Sequence, residues 1–212
     1  MTTVVVTGAN RGIGAALMTQ GRARGWTMIG TAREGGDLTF DVTDHDAVRT
    51  AAASLDGPVD VLINNAGIIG PERQTTGDMD YAGFAETLAV NTLAPLAVSQ
   101  AFLPALKRSD RGRILTISSQ MSRMSYAKSD TLAYRASKAA VNKVMQGLST
   151  DLAPVGIPVA LINPGWVRTD MGGGGADEDP LVVADGILDV ADGLTMERTG
   201  KLITFKGEVC SF

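Results

Sequence analysis

Apolar residues fall into two kinds of run along this chain. The first is short and nearly unbroken: Val4-Val5-Val6, Val61-Leu62-Ile63, Ile114-Leu115 and Val159 to Ile162. Such runs, without strict apolar/polar alternation, predict strands of a parallel sheet buried on both faces. The second kind recurs three or four residues apart, as in Leu132, Ala136, Ala140, Val144 and Leu148. That spacing predicts helices with one apolar face. Strands are expected near 3–7, 26–31, 37–41, 59–64, 112–118, 157–163 and 201–205, and helices near 12–24, 44–55, 80–107, 131–152 and 180–194. With a helix between successive strands, the expected fold is α/β, a doubly wound parallel sheet of about seven strands. Its ligand site lies beyond the carboxyl ends of the strands.

Composition narrows the picture. A chain of 212 residues suits one domain spanning 1–212, and no composition shift or repeat marks a second. A net charge of -4, with no lysine or arginine cluster, argues against nucleic acid as a partner. Cys210 is the only cysteine, so an intramolecular disulfide is impossible, and the lone His45 lies between Asp44 and Asp46 at a helix start. A metal site is not expected. Met1-Thr2-Thr3 runs straight into the first strand, and the apolar stretch from Phe84 to Leu106 is interrupted by Glu86, Asn91, Pro95, Gln100 and Pro104. The expectation is therefore a cytoplasmic protein without a membrane span.

Two stretches carry chemistry. Thr7 to Gly14 places Gly8, Gly12 and Gly14 where the first strand turns into a helix. A glycine turn there lets backbone approach a pyrophosphate, with the helix N-terminus facing the anion; a merely tight turn would use the same residues. Tyr134 and Lys138 stand four apart in helix 131–152, on one face. A phenol titrates near ~10. An ammonium ~4 Å away favours phenolate by roughly 4 kcal/mol at an effective dielectric of ~20. That is about three pKa units, so the phenol is expected near physiological pH, able to pass a proton to or from an alcohol oxygen. Isolated pairs with this spacing also occur on ordinary surface helices.

Taken together, Thr7-Gly8-x-x-x-Gly12-x-Gly14, Asn64-Asn65-Ala66-Gly67, Tyr134-x-x-x-Lys138 and Pro164-Gly165 resemble, in order, the motifs of the short-chain dehydrogenases/reductases. The resemblance covers essentially the whole chain. Ala133-Tyr134-Arg135 and Asn163 to Gly172 look most like the C-factor-like carbonyl reductases. The resemblance implies a Rossmann fold and a catalytic tetrad of Asn91, Ser119, Tyr134 and Lys138. Hydride would pass between a nicotinamide and a small carbonyl or alcohol substrate. It assigns the cofactor to Gly8, Asn10, Arg11, Gly12, Ile13 and Gly14 at the phosphates, and to Arg33, Asp41 and Val42 around the adenosine. Asn64, Asn65, Ala66 and Gly67 would lie beside its ribose, with one asparagine tying the sheet together. Tyr134, Lys138, Pro164, Gly165, Val167 and Thr169 would stand at the nicotinamide end. Ser119 and Tyr134 are fifteen residues apart against the family's usual thirteen, so segment 120–131 must absorb an insertion. Ser118, one residue away, should point to the opposite face of its strand.

The residue that would bind a ribose 2′-hydroxyl in an NAD enzyme is Ala32, uncharged, and Arg33 and Arg11 stand nearby in sequence. Two guanidiniums without a competing acid suit a 2′-phosphate, so NADP(H) is expected and NAD(H) is less favoured. A substrate lid of about 171–179 contains Gly172 to Gly175 and predicts an open, mobile site, with Met121, Met124, Trp166 and Met171 as apolar lining. Pro95 lacks the amide that an α-helix would direct to the Asn91 carbonyl, so the helix should bend there. In relatives that carbonyl holds a water leading to the lysine. Helices 80–107 and 131–152, with small residues Ala133, Ala136, Ala140 and Gly147, are expected to form a homodimer or homotetramer. The competing reading is a nucleotide-binding regulatory or signalling protein of the same fold with little turnover.

Overall fold

A computed structural model describes residues 1–212. Its strands are β1 (Thr3–Thr7), β2 (Thr27–Ala32), β3 (Leu38–Thr39), β4 (Val61–Asn64), β5 (Arg113–Ile117), β6 (Val159–Asn163), β7 (Leu202–Thr204) and β8 (Val209–Cys210). They form one sheet in the order β3-β2-β1-β4-β5-β6-β7-β8. All neighbours run parallel except β8, which pairs antiparallel with β7. The helices are α1 (Gly12–Ala23), α2 (His45–Ala53), α3 (Tyr81–Leu88), α4 (Ala94–Lys107), α5 (Leu132–Leu152) and α6 (Pro180–Asp192).

The unbroken apolar runs are explained by the two cores. Side chains alternate across a strand, and here both sides are buried. Val4, Val6, Val61, Ile63, Leu115, Ala160, Ile162 and Ile203 pack on one face with α1 and α6. Val5, Leu62, Ile114, Val159, Leu161 and Leu202 pack on the other with α2, α4 and α5. Helix starts follow the local chemistry. Asp44, Asp80 and Asp179 each accept a first-turn amide, at 3.0, 3.0 and 2.8 Å. Pro180 occupies the first turn of α6, where its missing amide costs nothing.

Three features depart from the expected pattern. First, the general rule of a helix between successive strands breaks between β2 and β3, which only Arg33 to Asp37 join, as the expected helices at 12–24 and 44–55 already implied. Parallel neighbours ordinarily need a crossover of a dozen or more residues. The shortcut leaves β3 two residues long, with pairs Thr31–Leu38 and Ala32–Thr39. Gly35 turns at φ +68, and Asp37 accepts the Gly30 amide, 2.8 Å, on the stretch of β2 that β3 is too short to cover. Second, β8 adds an eighth strand, too short and too near the chain end to register as a periodic run.

Third, the expected bend at Pro95 takes the form of a π-helical turn, Ala89–Leu93, in which Ala94 donates to the Ala89 carbonyl. Widening the turn by one residue starts α4 afresh at Ala94. Pro95 then falls in a first turn, where no amide is required. The whole run Tyr81–Lys107 is long and apolar enough to cross a membrane by length and composition, despite its prolines. In this fold it serves as a core helix. Ser99 accepts a hydrogen bond from Asn64 of β4 at 3.0 Å, and Val98, Phe102 and Leu106 are buried.

The β2–β3 shortcut generates a stability prediction. A Cβ on Gly36 would stand 2.7 Å from both the Ala32 nitrogen and the Leu38 oxygen, all main chain, whereas Gly57 has open space around it. Gly36→Ala should lower the urea-derived unfolding free energy by about 1–3 kcal/mol. Gly57→Ala should stay within about 0.5 kcal/mol of the parent. Equal stability of the two variants would show that the connection is not sterically closed.

Candidate active site

The carboxyl ends of β1, β2, β4, β5 and β6 share one edge, and the sequence-derived site residues collect along it. At the β1 end, Gly8 and Gly12 adopt φ +64 and +54, conformations open to glycine. A Cβ on Gly14 would lie 2.1 Å from the Gly8 oxygen, so the loop and the helix start are in direct contact. The Ala9 amide donates to Thr31 at the end of β2, 3.0 Å. No side chain caps α1, leaving its first amides facing outward behind the glycine loop. Arg11 and Asn10 are exposed, and Ile13 packs against the core. This is a geometry that suits a pyrophosphate.

At β4, both asparagines have their side chains engaged in the scaffold. Asn64 donates to Ser99 and Thr116, at 3.0 and 3.2 Å, tying β4 to α4 and β5. Asn65 donates to the carbonyls of Thr7 and Gly8, at 2.9 and 3.0 Å. The Thr7 hydroxyl accepts the Asn65 and Ala66 amides in return. Ala66, Val42, Thr7 and Val90 border a shallow apolar depression beside the loop. Asp41 accepts both the amide and the hydroxyl of Thr43, which hold its pKa below the usual carboxylate value, and Arg33 adds to the effect. Asp44, not Asp41, caps α2. Ala32 is buried and uncharged, but each arginine has an acid near it: Arg33 acts on Asp41, and Arg11 lies 3.6 Å from Asp170. Exposed pairs of this kind contribute about 0–1 kcal/mol, little enough for a phosphate to displace.

The four tetrad residues converge on the start of α5. Lys138 is buried and donates to the Ile117 carbonyl at 2.8 Å, joining α5 to the end of β5. Burial lowers its pKa to about 8. Its Nζ lies 5.7 Å from the centre of the Tyr134 ring. The Tyr134 pKa is raised, not lowered: burial disfavours phenolate, and the Ser119 hydroxyl beside it only partly offsets this. The expectation of a phenol near neutrality from the charge pair alone is therefore corrected. Desolvation outweighs an ammonium that is directed at a carbonyl.

Asn91 sits in the π turn, fully inside. Its side chain pairs with the Ile68 main chain, accepting the amide at 2.9 Å and donating to the carbonyl at 2.8 Å, and also donates to Ser137 at 3.0 Å. Ser119, two residues past the end of β5, is extended and accepts the Met121 amide at 3.1 Å, starting a 3-10 turn at Gln120–Ser122. That turn and the loop after it absorb the two-residue insertion. Ser118 points the other way, as expected, and donates to Asn142 at 2.6 Å. Asn142 donates to Ser122, and Ser122 to the Ser119 carbonyl, at 2.8 and 2.6 Å. Sequence reasoning missed Asn142, although it is a polar residue one turn past Lys138 on the same buried face.

The lid is more ordered than four glycines suggested. Trp166 donates from its indole to the Gly172 carbonyl, 2.9 Å, and the Gly173 amide donates to Thr169, 2.8 Å. A Cβ on Gly172 would meet the Val167 oxygen at 2.0 Å, so that glycine is required by contact rather than freedom. Arg168 donates to the Ala176 and Asp177 carbonyls and closes the base of the loop. Val167 is buried, Gly165 turns at φ +77 behind Pro164, and a Cβ on Gly12 would lie 3.3 Å from the Thr169 methyl. Thr169, just before the lid, thus stands against the glycine loop. Met124, Trp166 and Met171 are exposed around the mouth.

Known proteins resemble this chain in sequence and fold. A profile of the family described as "short chain dehydrogenase" matches residues 35–179. C-signal of Myxococcus xanthus is 44% identical over 153 residues, covering 71% of this chain and 91% of that protein. An NADPH-bound carbonyl reductase from chicken fatty liver superposes with a TM-score of 0.91 at 30% identity, covering 100% of this chain and 99% of the other. The carbonyl reductase Sniffer of D. melanogaster does so with a TM-score of 0.92 at 27% identity, covering both chains completely. With the fold, the motif order and the matched residues in agreement, the chain belongs to the short-chain dehydrogenase/reductase family of oxidoreductases.

Proposed function

We propose that this chain is an NADP(H)-dependent carbonyl reductase or alcohol dehydrogenase with Tyr134 as the proton donor and acceptor. The observation that carries the reading is the buried phenol of Tyr134 beside the Ser119 hydroxyl, with the Lys138 ammonium one helical turn further along α5. When bound, the nicotinamide supplies or accepts the hydride. The chain contributes position, exclusion of water and proton transfer. Ser119 donates a hydrogen bond to the substrate oxygen and orients it. Tyr134, neutral in its buried site, donates its proton as negative charge develops on that oxygen. Lys138, charged below about pH 8, stabilises the phenolate left behind. Asn91 holds the segment after Gly67 in place, and its main-chain carbonyl is the anchor for a water that restores the proton.

The glycine loop, the uncapped α1, Arg11, Arg33 and the uncharged Ala32 support NADP(H) over NAD(H), and the chicken enzyme's NADPH points the same way. The same reading takes a small carbonyl or alcohol as substrate, a cytoplasmic location, and a homodimer or homotetramer through α3 to α5. Ala133 is fully buried within the chain, so it is not part of such an interface. A second reading, a signalling protein with little turnover, is favoured by one observation, the name of the 44% identical C-signal. NADPH consumption with a panel of aldehydes and ketones separates the two.

Three outcomes are expected. NADPH should bind at least tenfold more tightly than NADH, about 1.4 kcal/mol, and Ala32→Asp should narrow or reverse the ratio. Titration showing equal affinity for both would overturn the arginine assignment. Tyr134→Phe should reduce kcat by at least about 10²-fold with NADPH affinity nearly unchanged. Retention of more than about a hundredth of the activity would remove Tyr134 from its role. The third outcome concerns pH. Lys138 loses its charge as pH rises through about 8, so kcat/KM for carbonyl reduction should fall above that pH. A profile that stays flat from neutrality to well above it would exclude a charged Lys138 from the reaction.

A further inference from the structure

We propose that Gln74 is a positioning residue for Tyr134, capping the first turn of α5 from outside the helix and so fixing where the phenol stands. The proposal rests on the reading of Tyr134 as the proton donor. The first amides of any helix lack intrahelical partners. In α2, α3 and α6 an aspartate from the adjoining residue supplies one. The helix that carries Tyr134 is different. Its preceding residue, Thr131, is left-handed at φ 47 and ψ 43, caps nothing, and has a buried hydroxyl without a partner. A β-branched residue in that region is strained.

The partners come instead from Gln74, 60 residues before Tyr134 and itself only 5% exposed. Its main-chain carbonyl accepts the Leu132 amide at 2.9 Å, and its side-chain Oε1 accepts the amide of Tyr134 itself at 3.2 Å. The side-chain nitrogen donates to the carbonyls of Ile69 and Pro71, at 3.1 and 2.6 Å. Every polar atom of the amide is therefore used. A glutamate would keep the acceptor but lose both donors.

The other side of Tyr134 is tied to the same segment. Its carbonyl accepts from Ser137, 2.7 Å, which accepts from Asn91, whose side chain grips Ile68. Residues 68–74 thus form a strap that follows directly on Asn64 to Gly67 and holds Tyr134 at both its amide and its carbonyl. Gly70, at φ +91 and with no room for a Cβ against Thr87 Oγ1 at 2.8 Å, fixes the strap to α3. A small tilt of the first turn of α5 would swing the phenol away from the substrate oxygen. Misplacement by ~1 Å can cost ~10² in rate.

The test compares Gln74→Met, which keeps the volume and removes both polar ends, with Gln74→Glu, which keeps the acceptor. A carboxylate is also compatible with a helix N-terminus. In Gln74→Met, hydrogen exchange at the Tyr134 amide should accelerate at least tenfold while amides from Val141 to Met145 keep their protection. With a turned-over carbonyl, kcat should fall at least tenfold and NADPH affinity should change less than twofold. Gln74→Glu should retain protection at Tyr134 and recover part of kcat. Unchanged exchange at Tyr134 in Gln74→Met overturns the proposal, as does a uniform loss of protection along α5. Should Gln74→Met fail to fold, Gln74→Leu takes its place, and unchanged exchange at Tyr134 in that variant overturns the proposal equally. If the parent protein reduces no carbonyl at all, the proposed function fails and the exchange measurements alone decide the cap.

Discussion

The Lys138 ammonium is buried with a single carbonyl as its hydrogen-bond partner, and much of the site follows from that. Removing a charge from water without a counter-ion disfavours the charged form, and nothing but burial shifts this lysine. A carboxylate in contact would hold the pKa up, yet it would also cancel the field that Tyr134 would need in its proposed role as proton donor. The polar residues buried in the site are neutral: Asn91, Ser118, Ser119, Ser137 and Asn142. Buried neutral polar groups must satisfy one another. Two chains of hydrogen bonds result, one through Asn91 and Ser137 to the Tyr134 carbonyl, the other through Ser118, Asn142 and Ser122 to the Ser119 carbonyl. The network ties the main chain at Tyr134 and at Ser119 to α5 without adding a charge.

Much of this was legible in the sequence because it depends on local patterns. The strand and helix runs and the direction of Ser118 follow from periodicity or from one residue's chemistry. What escaped depends on partners far away in the chain. The phenol's pKa was misjudged because spacing gives the distance between two groups on a helix, not how much water remains around them. The π turn was foreseen only as a bend, since Pro95 states which hydrogen bond is lost but not how the ladder re-forms. Asn142 was overlooked because its partners Ser118 and Ser122 lie on another element.

The glycines of the lid show the same limit from the opposite direction. Counted in a sequence, Gly172 to Gly175 read as freedom. In the fold, Gly172 has no room for a side chain because the Val167 carbonyl occupies that space, and Gly175 lies against the Trp166 ring. The backbone of the lid wraps an indole that donates to it, Thr169 accepts the Gly172 amide, and Arg168 donates to the Ala176 and Asp177 carbonyls. A short lid built this way can be ordered without a hydrophobic core of its own, because an exposed tryptophan serves as its support.

The connection between β2 and β3 has a consequence for cofactor recognition. Five residues replace a crossover helix, so the end of β2 is bordered by an exposed loop instead of a helix start. A helix there would bring N-terminal amides to bear on an anion. Without one, positive charge beside Ala32 has to come from side chains, and Arg33 stands at the first position of the loop. Of the two acids in that loop, Asp37 is directed at the Gly30 amide and is occupied in closing the strand edge, whereas Glu34 is exposed beside Arg33. Asp41 is occupied by Thr43. Asp37 and Asp41 thus have structural partners, but Glu34 beside Arg33 and Asp170 beside Arg11 keep acids close to both arginines, so the proposed preference for a 2′-phosphate depends on displacing weak, exposed pairs.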